Sequence, residues 1–280
     1  MSFIDLHLHT NFSDGAFSPE EVIKYAHERD LSAIAITDHD TTDGIARAKA
    51  AAEEYDIEVV PGIELSAYLA DVFGEEIHIL GYFIEWQNEE FQKILSMFKQ
   101  KRVERAKEIL QKLDNLGVHL DEMELFASVG NGAIGRLHCA KKLVEKGHVM
   151  SIRDAFIEYL GDGRPAFVPK MYLEPAQTIK IIQDVKGIPV LAHPNIGDIN
   201  ADIVKDLAGK GLKGLEVYCN KLNGDAARHF VCMAQENNLL VTGGSDCHGN
   251  IGSRDMLMGS VKVQYSILED LKKYKIDNIS

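Results

Sequence analysis

Apolar residues recur along this chain in two alternating rhythms. Short runs of the buried-strand kind ("SAIAITDHD", "IEVVPGIEL", "EIHILGYFI", "IPVLAHP", "KGLEVY", "LLVTGGSD") are set apart by stretches whose apolar positions fall three and four residues apart. The opening "FIDLHLH" reads as the first strand. In "SPEEVIKYAHERD", Ser18 is placed to cap a helix, with Pro19 at its first position and Glu21 completing a capping box. Further helices are expected over "DGIARAKAAAEEYD", "PAQTIKIIQDVKG", "ADIVKDLAGKG" and "GDAARHFVCMAQENN", and "GSVKV" leads into a last one, "SILEDLKKYK". Strand-then-helix units favour a parallel sheet or barrel, because parallel strands need a crossover between them. Seven or so such strands, without a Gly-x-Gly-x-x-Gly fingerprint, fit an α/β barrel better than a dinucleotide-binding sheet.

The rhythm changes in the middle. Phe91, Ile94, Leu95, Phe98, Ile109, Leu110, Leu113 and Leu116 mark one long amphipathic helix, and "RLHCAKKLVEKG" and "IRDAFIEYLGDG" continue in helical periods. The barrel is therefore expected over 1–98 and 168–280, with a helical insertion, 99–167, covering the active site. A length of 280 residues, 45% of them apolar, suffices for one large domain with an insertion. A net charge of −13 argues against a generic nucleic-acid binder. Residues 99–170 are nevertheless mildly basic. Two explanations stand side by side: ordinary variation of helix surfaces, or an acidic metal-binding body beside a segment that meets an anionic substrate. No apolar run approaches the roughly 18 residues of a membrane span, and no signal-peptide pattern opens the chain. Cys139, Cys219, Cys232 and Cys247 lack paired spacing, so a soluble, cytoplasmic protein without a membrane or obligate protein partner is expected.

Candidate chemistry sits at the strand ends. His7 and His9 share one face of the first strand, which leaves Leu6 and Leu8 to pack against helices on the other. Asp38 and His39 end the second strand, Glu64 the third, His193 closes "VLAHP", and Asp246 and His248 follow "VTGGSDCH". Only His78 lies nearer the start of its strand. Strand ends converge on one face of an α/β barrel. One histidine there is ordinarily a hydrogen-bonded rim residue; a His-x-His pair with five further strand-end His, Asp or Glu positions points to metal. Imidazoles and carboxylates without cysteine suit Mn²⁺, Fe²⁺ or Zn²⁺, and this many ligands imply two or three ions. His27 and His229 belong to helices, and His119 and His148 to solvated turns. Cys247 is turned away from the ligands and packs, Asp38 and Asp40 orient ligands, and Asp43 caps the following helix.

"DLHLHTNFSDG", "AITDHDTTDG", "PGIELS", "IHILGY", "LAHP" and "GSDCH" together resemble the PHP (polymerase and histidinol phosphatase) superfamily. "IGRLHCAKKLVEKGHV" and "AFIEYLGDGRPAFVP" are similar to its stand-alone phosphoesterases, which act on nucleoside monophosphates or 3′,5′-bisphosphates or trim short RNA from the 5′ end. The resemblance implies a distorted seven-stranded β/α barrel with a trinuclear metal site, with Mn²⁺ the leading ion. His7, His9, Glu64 and Asp246 would hold one ion; Asp14, His39 and His248 a second; Glu64, His78 and His193 a third. Many relatives carry histidine at the Asp14 position. The implied chemistry is attack on phosphorus by a metal-bridging hydroxide, with no Ser or Cys nucleophile. Arg136 and His138 are the leading candidates to clamp the phosphate, followed by Arg164, Lys170, Ser66 and Asn195. The expected substrate is a small nucleotide phosphomonoester. Alternatives are a 5′→3′ exonuclease on short RNA or DNA, a histidinol-phosphate phosphatase and a non-catalytic metal-binding docking module. An amidohydrolase-like deaminase would need a lysine at a strand end near the cluster, and none is expected.

Overall fold

The structure, a computed structural model, describes residues 2–69, 75–129, 132–171, 173–194, 199–222, 224–249 and 257–279. The chain divides into two compact units, Met1–Gln92 with Tyr172–Ser280, and Lys93–Met171. Among its described residues the first carries eight strands: β1 (Phe3–Leu8), β2 (Leu31–Ile36), β3 (Glu58–Leu69), β4 (Glu75–Tyr82), β5 (Ile188–Leu191), β6 (Gly214–Tyr218), β7 (Leu240–Gly243) and β8 (Val263–Gln264). They form one mixed sheet in the order β7-β6-β5-β4-β3-β2-β1-β8. The chain leaving β7 then meets β1, where Leu8 and Cys247 form a parallel bridge and His9 N–H donates to the Cys247 carbonyl at 3.1 Å. The sheet is thereby a nearly closed barrel.

Two expectations need correcting. Among the described residues eight strands are present rather than seven, because the two residues of β8 pair antiparallel with β1 at Phe3 and Ile4. The sheet is also not wholly parallel: β4 runs antiparallel to both β3 and β5. That reversal explains His78. On an antiparallel strand the N-terminal half lies at the end where parallel strands finish, so His78 pairs in register with Ser66, just beyond Glu64.

Helices α1 (Pro19–Glu28) and α2 (Ile45–Ala52) follow β1 and β2. The α1 capping box forms as expected, with Glu21 N–H donating to Ser18 Oγ and Ser18 N–H to Glu21 Oε2. Asp43 does not cap α2; Gly44 occupies that position without a side-chain bond, and a Cβ there would stand 2.8 Å from Asp38 Oδ2. The helix α3 (Glu89–Asn115) leads into the second unit, which continues through α4 (Glu122–Val129), α5 (Arg136–Glu145), and α6 (Ile152–Ala155) with its π-helical extension Phe156–Leu160. Leu113, Leu125, Cys139, Leu143, Ala155 and Leu160 are wholly buried in the core of that unit. Back in the first unit, α7 (Pro175–Asp184) precedes β5, α8 (Ala201–Gly209) precedes β6, α9 (Gly224–Glu236) precedes β7 and α10 (Tyr265–Asn278) ends the described chain. Ile4, Leu6, Ala33, Val60, Leu80, Tyr82 and Val190 cluster with Leu268 and Leu271 of α10. Among the described residues no helix is long and apolar enough to cross a membrane.

Candidate metal centre

β1 does not keep strict alternation. Asp5 stands opposite Ile34 but Leu8 opposite Ile36, so β1 holds one residue more than β2 across this step. Irregularities of this kind re-aim side chains. Leu6 joins the cluster that holds Leu80 and Tyr82 together with Leu268 and Leu271 of α10. His7 meanwhile is turned towards the carboxylates of β3 and β6.

Glu64 is the hub. Its Oε2 lies 3.2 Å from His7 Nε2, 3.1 Å from His9 Nε2 and 3.2 Å from His39 Nδ1. Its Oε1 lies 2.9 Å from His78 Nδ1 and 3.3 Å from His193 Nε2. Asp246 Oδ1 approaches His7 Nε2 and His9 Nε2 at 3.4 and 3.3 Å. Asp14 stands beside them: Oδ1 is 3.3 Å from His248 Nε2 and 3.7 Å from His9 Nδ1, and Oδ2 is 4.0 Å from His39 Nε2. Thus all nine residues expected as ligands converge. Among the described residues three groupings could each hold an ion: His7, His9, Glu64 and Asp246; His9, Asp14, His39 and His248; and His39, Glu64 and His78, the last with His39 in the place expected for His193.

Buried polar atoms normally find hydrogen-bond partners. Here His7 Nε2, His9 Nε2, Asp14 Oδ1, His39 Nδ1 and Glu64 Oε2 are buried, have no hydrogen bond and face one another. Lone pairs held this way fit divalent cations, and the all-imidazole and carboxylate set suits Mn²⁺, Fe²⁺ or Zn²⁺. Two of the participants also hold unusual backbone, with φ of 27° at His193 and 54° at Asp246, a conformation that side-chain-bearing residues adopt at a cost.

Charge in the cluster is strongly coupled. Burial opposes ionisation of Glu64, but His39, His7 and His78 outweigh it and hold its carboxyl well below the usual carboxylate range. Burial likewise disfavours charge on His9, yet Asp246 and Glu64 push it up to about 10. For His78, Glu64 overcomes burial and raises it to about 9. Burial wins at His39, which falls to about 3.

A polar network that sequence reasoning missed orients the ligands. Glu216 of β6 is wholly buried; His7 Nδ1–H lies 3.0 and 3.1 Å from its two oxygens, and His193 N–H donates to Oε2 at 2.8 Å. This directs His7 Nε2 at Glu64 and Asp246. His248 Nδ1–H donates to the Asp246 carbonyl at 3.0 Å and turns its Nε2 to Asp14 in the same manner. Asp5 accepts from the backbone N–H of Ser245 at 2.8 Å and of Gly259 at 3.0 Å, and Tyr82 O–H donates to the Leu6 carbonyl at 3.1 Å. The signal was available: Asp5 and Glu216 are each the lone acid of a short, largely apolar strand. Asp38 acts on the turn after β1, accepting from Thr10 N–H at 2.7 Å and Ser13 Oγ at 2.6 Å, and not on an imidazole directly. Asp40 N–H donates to the Glu64 carbonyl at 3.0 Å.

Gly244 lets the strands approach. A Cβ there would fall 2.4 Å from His7 Cβ and 2.5 Å from His7 N. Gly244→Ala is therefore expected to destabilise the fold by about 1–3 kcal/mol and weaken metal binding, readable as a lower Tm and reduced metal content. An unchanged Tm and metal content would contradict this packing.

The residues expected to meet substrate fall in both units. Ser66 is buried on β3, opposite His78. Within the helical unit, Arg136 Nη1–H donates to Asp162 Oδ1 at 2.7 Å, and its guanidinium lies over the rings of Phe156 and Phe167 at 5.8 and 5.6 Å. His138 Nδ1 accepts from Gly135 N–H at 3.1 Å at the start of α5. Arg164 is exposed and Lys170 half-buried, while Asn195 lies outside the described residues. Cys247 is buried, its Sγ accepts from Gly249 N–H at 3.3 Å, and burial pushes its thiol up, so it is no nucleophile. A lysine does stand near the cluster: Lys221, shortly after β6, places Nζ 2.8 Å from Asp246 Oδ2. It was missed because it falls three residues beyond the strand end.

Comparison with known proteins agrees with this geometry. A PHP domain family model matches residues 5–163. A 3′,5′-nucleoside bisphosphate phosphatase of Chromobacterium violaceum is 31% identical, covering 91% of this chain and 91% of its own. The 5′-3′ exoribonuclease Rnm of Escherichia coli strain K12 is 33% identical, over 87% of this chain and 84% of its own. A solved structure assigned to the metal-dependent phosphoesterases, from Bifidobacterium adolescentis, superposes with a TM-score of 0.85 at 27% identity, covering 96% of this chain and 95% of that one. With its strand-end histidines and acids gathered around Glu64, the chain belongs to the PHP domain family of metal-dependent phosphoesterases.

Proposed function

We propose that this protein is a phosphoric ester hydrolase that removes phosphate from a nucleotide phosphomonoester, of the nucleoside monophosphate or 3′,5′-bisphosphate type, using two or three divalent ions, with Mn²⁺ preferred. The observation that carries the proposal is the meeting of five imidazoles on the two oxygens of Glu64, with buried lone pairs left without hydrogen bonds. Ions bound there would supply acidified water and offset charge on phosphoryl oxygens. The chain's own part is to hold and aim. Glu64 serves two groupings at once, Glu216 holds His7 with Nε2 outward, and Asp246 and His248 position each other. The four free cysteines are consistent with a reducing, cytoplasmic setting.

A second reading, 5′→3′ exonuclease action on short RNA, is favoured by the exoribonuclease similarity over 87% of the chain. The two readings differ in leaving group. Phosphate release from AMP and from a 3′,5′-bisphosphate, set against mononucleotide release from a 5′-phosphorylated oligoribonucleotide in Mn²⁺, separates them. Absence of hydrolysis of all three would defeat both.

The helical segment is proposed to contribute Arg136 and His138 to substrate binding. With Nδ1 engaged by Gly135, His138 keeps its hydrogen on Nε2, a donor suited to phosphate. Arg136→Ala is expected to raise KM with metal content intact; an unchanged KM would remove Arg136 from the proposal.

Protons and metal ions compete for the same lone pairs. His9, at about 10, and His78, at about 9, are protonated at neutral pH, so metal binding must displace those protons. Mn²⁺ affinity is therefore expected to rise between about pH 6 and 9 with measurable proton release. Titration calorimetry in two buffers of different ionisation enthalpy reads both, and affinity independent of pH would contradict the assignment.

A further inference from the structure

The cluster carboxylate Asp246 divides its two oxygens. Oδ1 faces His7 and His9, while Oδ2 meets Lys221 Nζ at 2.8 Å. We propose that Lys221 is a substrate-binding residue, whose ammonium takes a phosphoryl oxygen of substrate at the rim of the metal cluster. The inference rests on the phosphoesterase reading and adds to it a cation from the barrel itself.

Its backbone is fixed, and fixed to the metal centre. Leu222 N–H donates to the Cys219 carbonyl at 3.2 Å and closes a tight turn around Asn220 and Lys221. Asn220 Nδ2–H donates at 2.9 Å to the carbonyl of Ser245, the neighbour of Asp246, and Ser260 Oγ–H donates to Asn220 Oδ1 at 3.1 Å. On the other side, Gly244 N–H donates to the Tyr218 carbonyl at 2.9 Å. Cys219 is buried beneath the turn. The stem of Lys221 is thus anchored, yet its side chain is 55% exposed, so the ammonium can swing without moving the fold. The lysine end of this pair stands in solvent, and three rotatable N–H donors on a flexible stem suit a phosphate. Cations beside Asp246 Oδ1 would draw on the same carboxylate charge and loosen the hold of Oδ2 on Lys221. The ammonium would then be available where a metal-bound phosphate presents its remaining oxygens.

Binding of inorganic phosphate to the Mn²⁺-loaded protein, followed by calorimetry, tests this without relying on turnover. Lys221→Met is expected to weaken phosphate binding about tenfold while leaving Mn²⁺ affinity in phosphate-free buffer no weaker than that of the wild type. Lys221→Arg should recover most of the loss. Lys210→Met, which removes the same charge from a surface pair with Asp206, should have no effect. Equal weakening by Lys210→Met would reduce the effect to bulk charge and overturn the proposal. Tighter Mn²⁺ binding with unchanged phosphate affinity would also overturn it, making Lys221 only a partner of Asp246. Wild-type protein that takes up Mn²⁺ but binds no phosphate would instead defeat the phosphoesterase reading on which the inference rests.

Discussion

Glu64→Ala is expected to deplete the metal centre and lower kcat/KM by at least about 10³-fold. The magnitude follows from position: both oxygens are used, Oε2 among His7, His9 and His39, and Oε1 between His78 and His193. Without this carboxylate two of the three candidate groupings lose a member. Five imidazoles would also face one another without the acid that separates them, so the variant should unfold at a lower temperature. Glu64→Gln keeps the volume and supplies a fold control. It should remain folded, bind far less metal and show little activity, because a neutral amide cannot bridge cations as a carboxylate does. Metal analysis of both variants beside thermal unfolding checks the prediction, and Glu64→Gln retaining wild-type metal content and turnover would contradict it.

Glu216→Gln should act more selectively. A glutamine oxygen at the Oε2 position can still accept from His193 N–H and His7 Nδ1–H, but its NH₂ would then stand at the Oε1 position and oppose His7 Nδ1–H, which lies as close to Oε1 as to Oε2. His7 would lose its fixed orientation while Glu64 and Asp246 keep theirs. Partners that orient a ligating histidine are worth roughly 10–100-fold in metal affinity, and a loss of that size is expected here. The diagnostic feature is recovery. Raising Mn²⁺ concentration should restore much of the activity of Glu216→Gln, whereas Glu64→Ala should stay inactive at any concentration. A Glu216→Gln enzyme with normal Mn²⁺ dependence would show that His7 is held by packing alone.

Much of this centre was legible in the residues alone. Histidines and acids at the ends of apolar runs have few structural explanations in numbers, and all nine converge. The features that escaped did so for identifiable reasons. The reversal of β4 was present in the spacing: β3 ends at Leu69 and β4 begins at Glu75, too short a connection for the dozen or more residues of a parallel crossover. Periodicity alone carries no strand direction. Glu216 looked like one more strand residue, although a charged side chain amid "KGLEVY" called for a buried partner. The extra residue in β1 was not legible at all, since an irregularity of register depends on how β1 and β2 settle against each other. Lys221 escaped because a turn, and not a strand, carries it to Asp246.

The central claim is a multinuclear metal centre that hydrolyses phosphate esters. It is tested most directly by one paired measurement on the purified full chain: metal content per chain after Mn²⁺ loading, and phosphate release from AMP and a 3′,5′-bisphosphonucleotide before and after chelation. The account predicts two or three ions per chain, phosphate release while they are bound, loss of release on chelation and its return on adding Mn²⁺. Fewer than two ions per chain, or phosphate release indifferent to chelation, would contradict it.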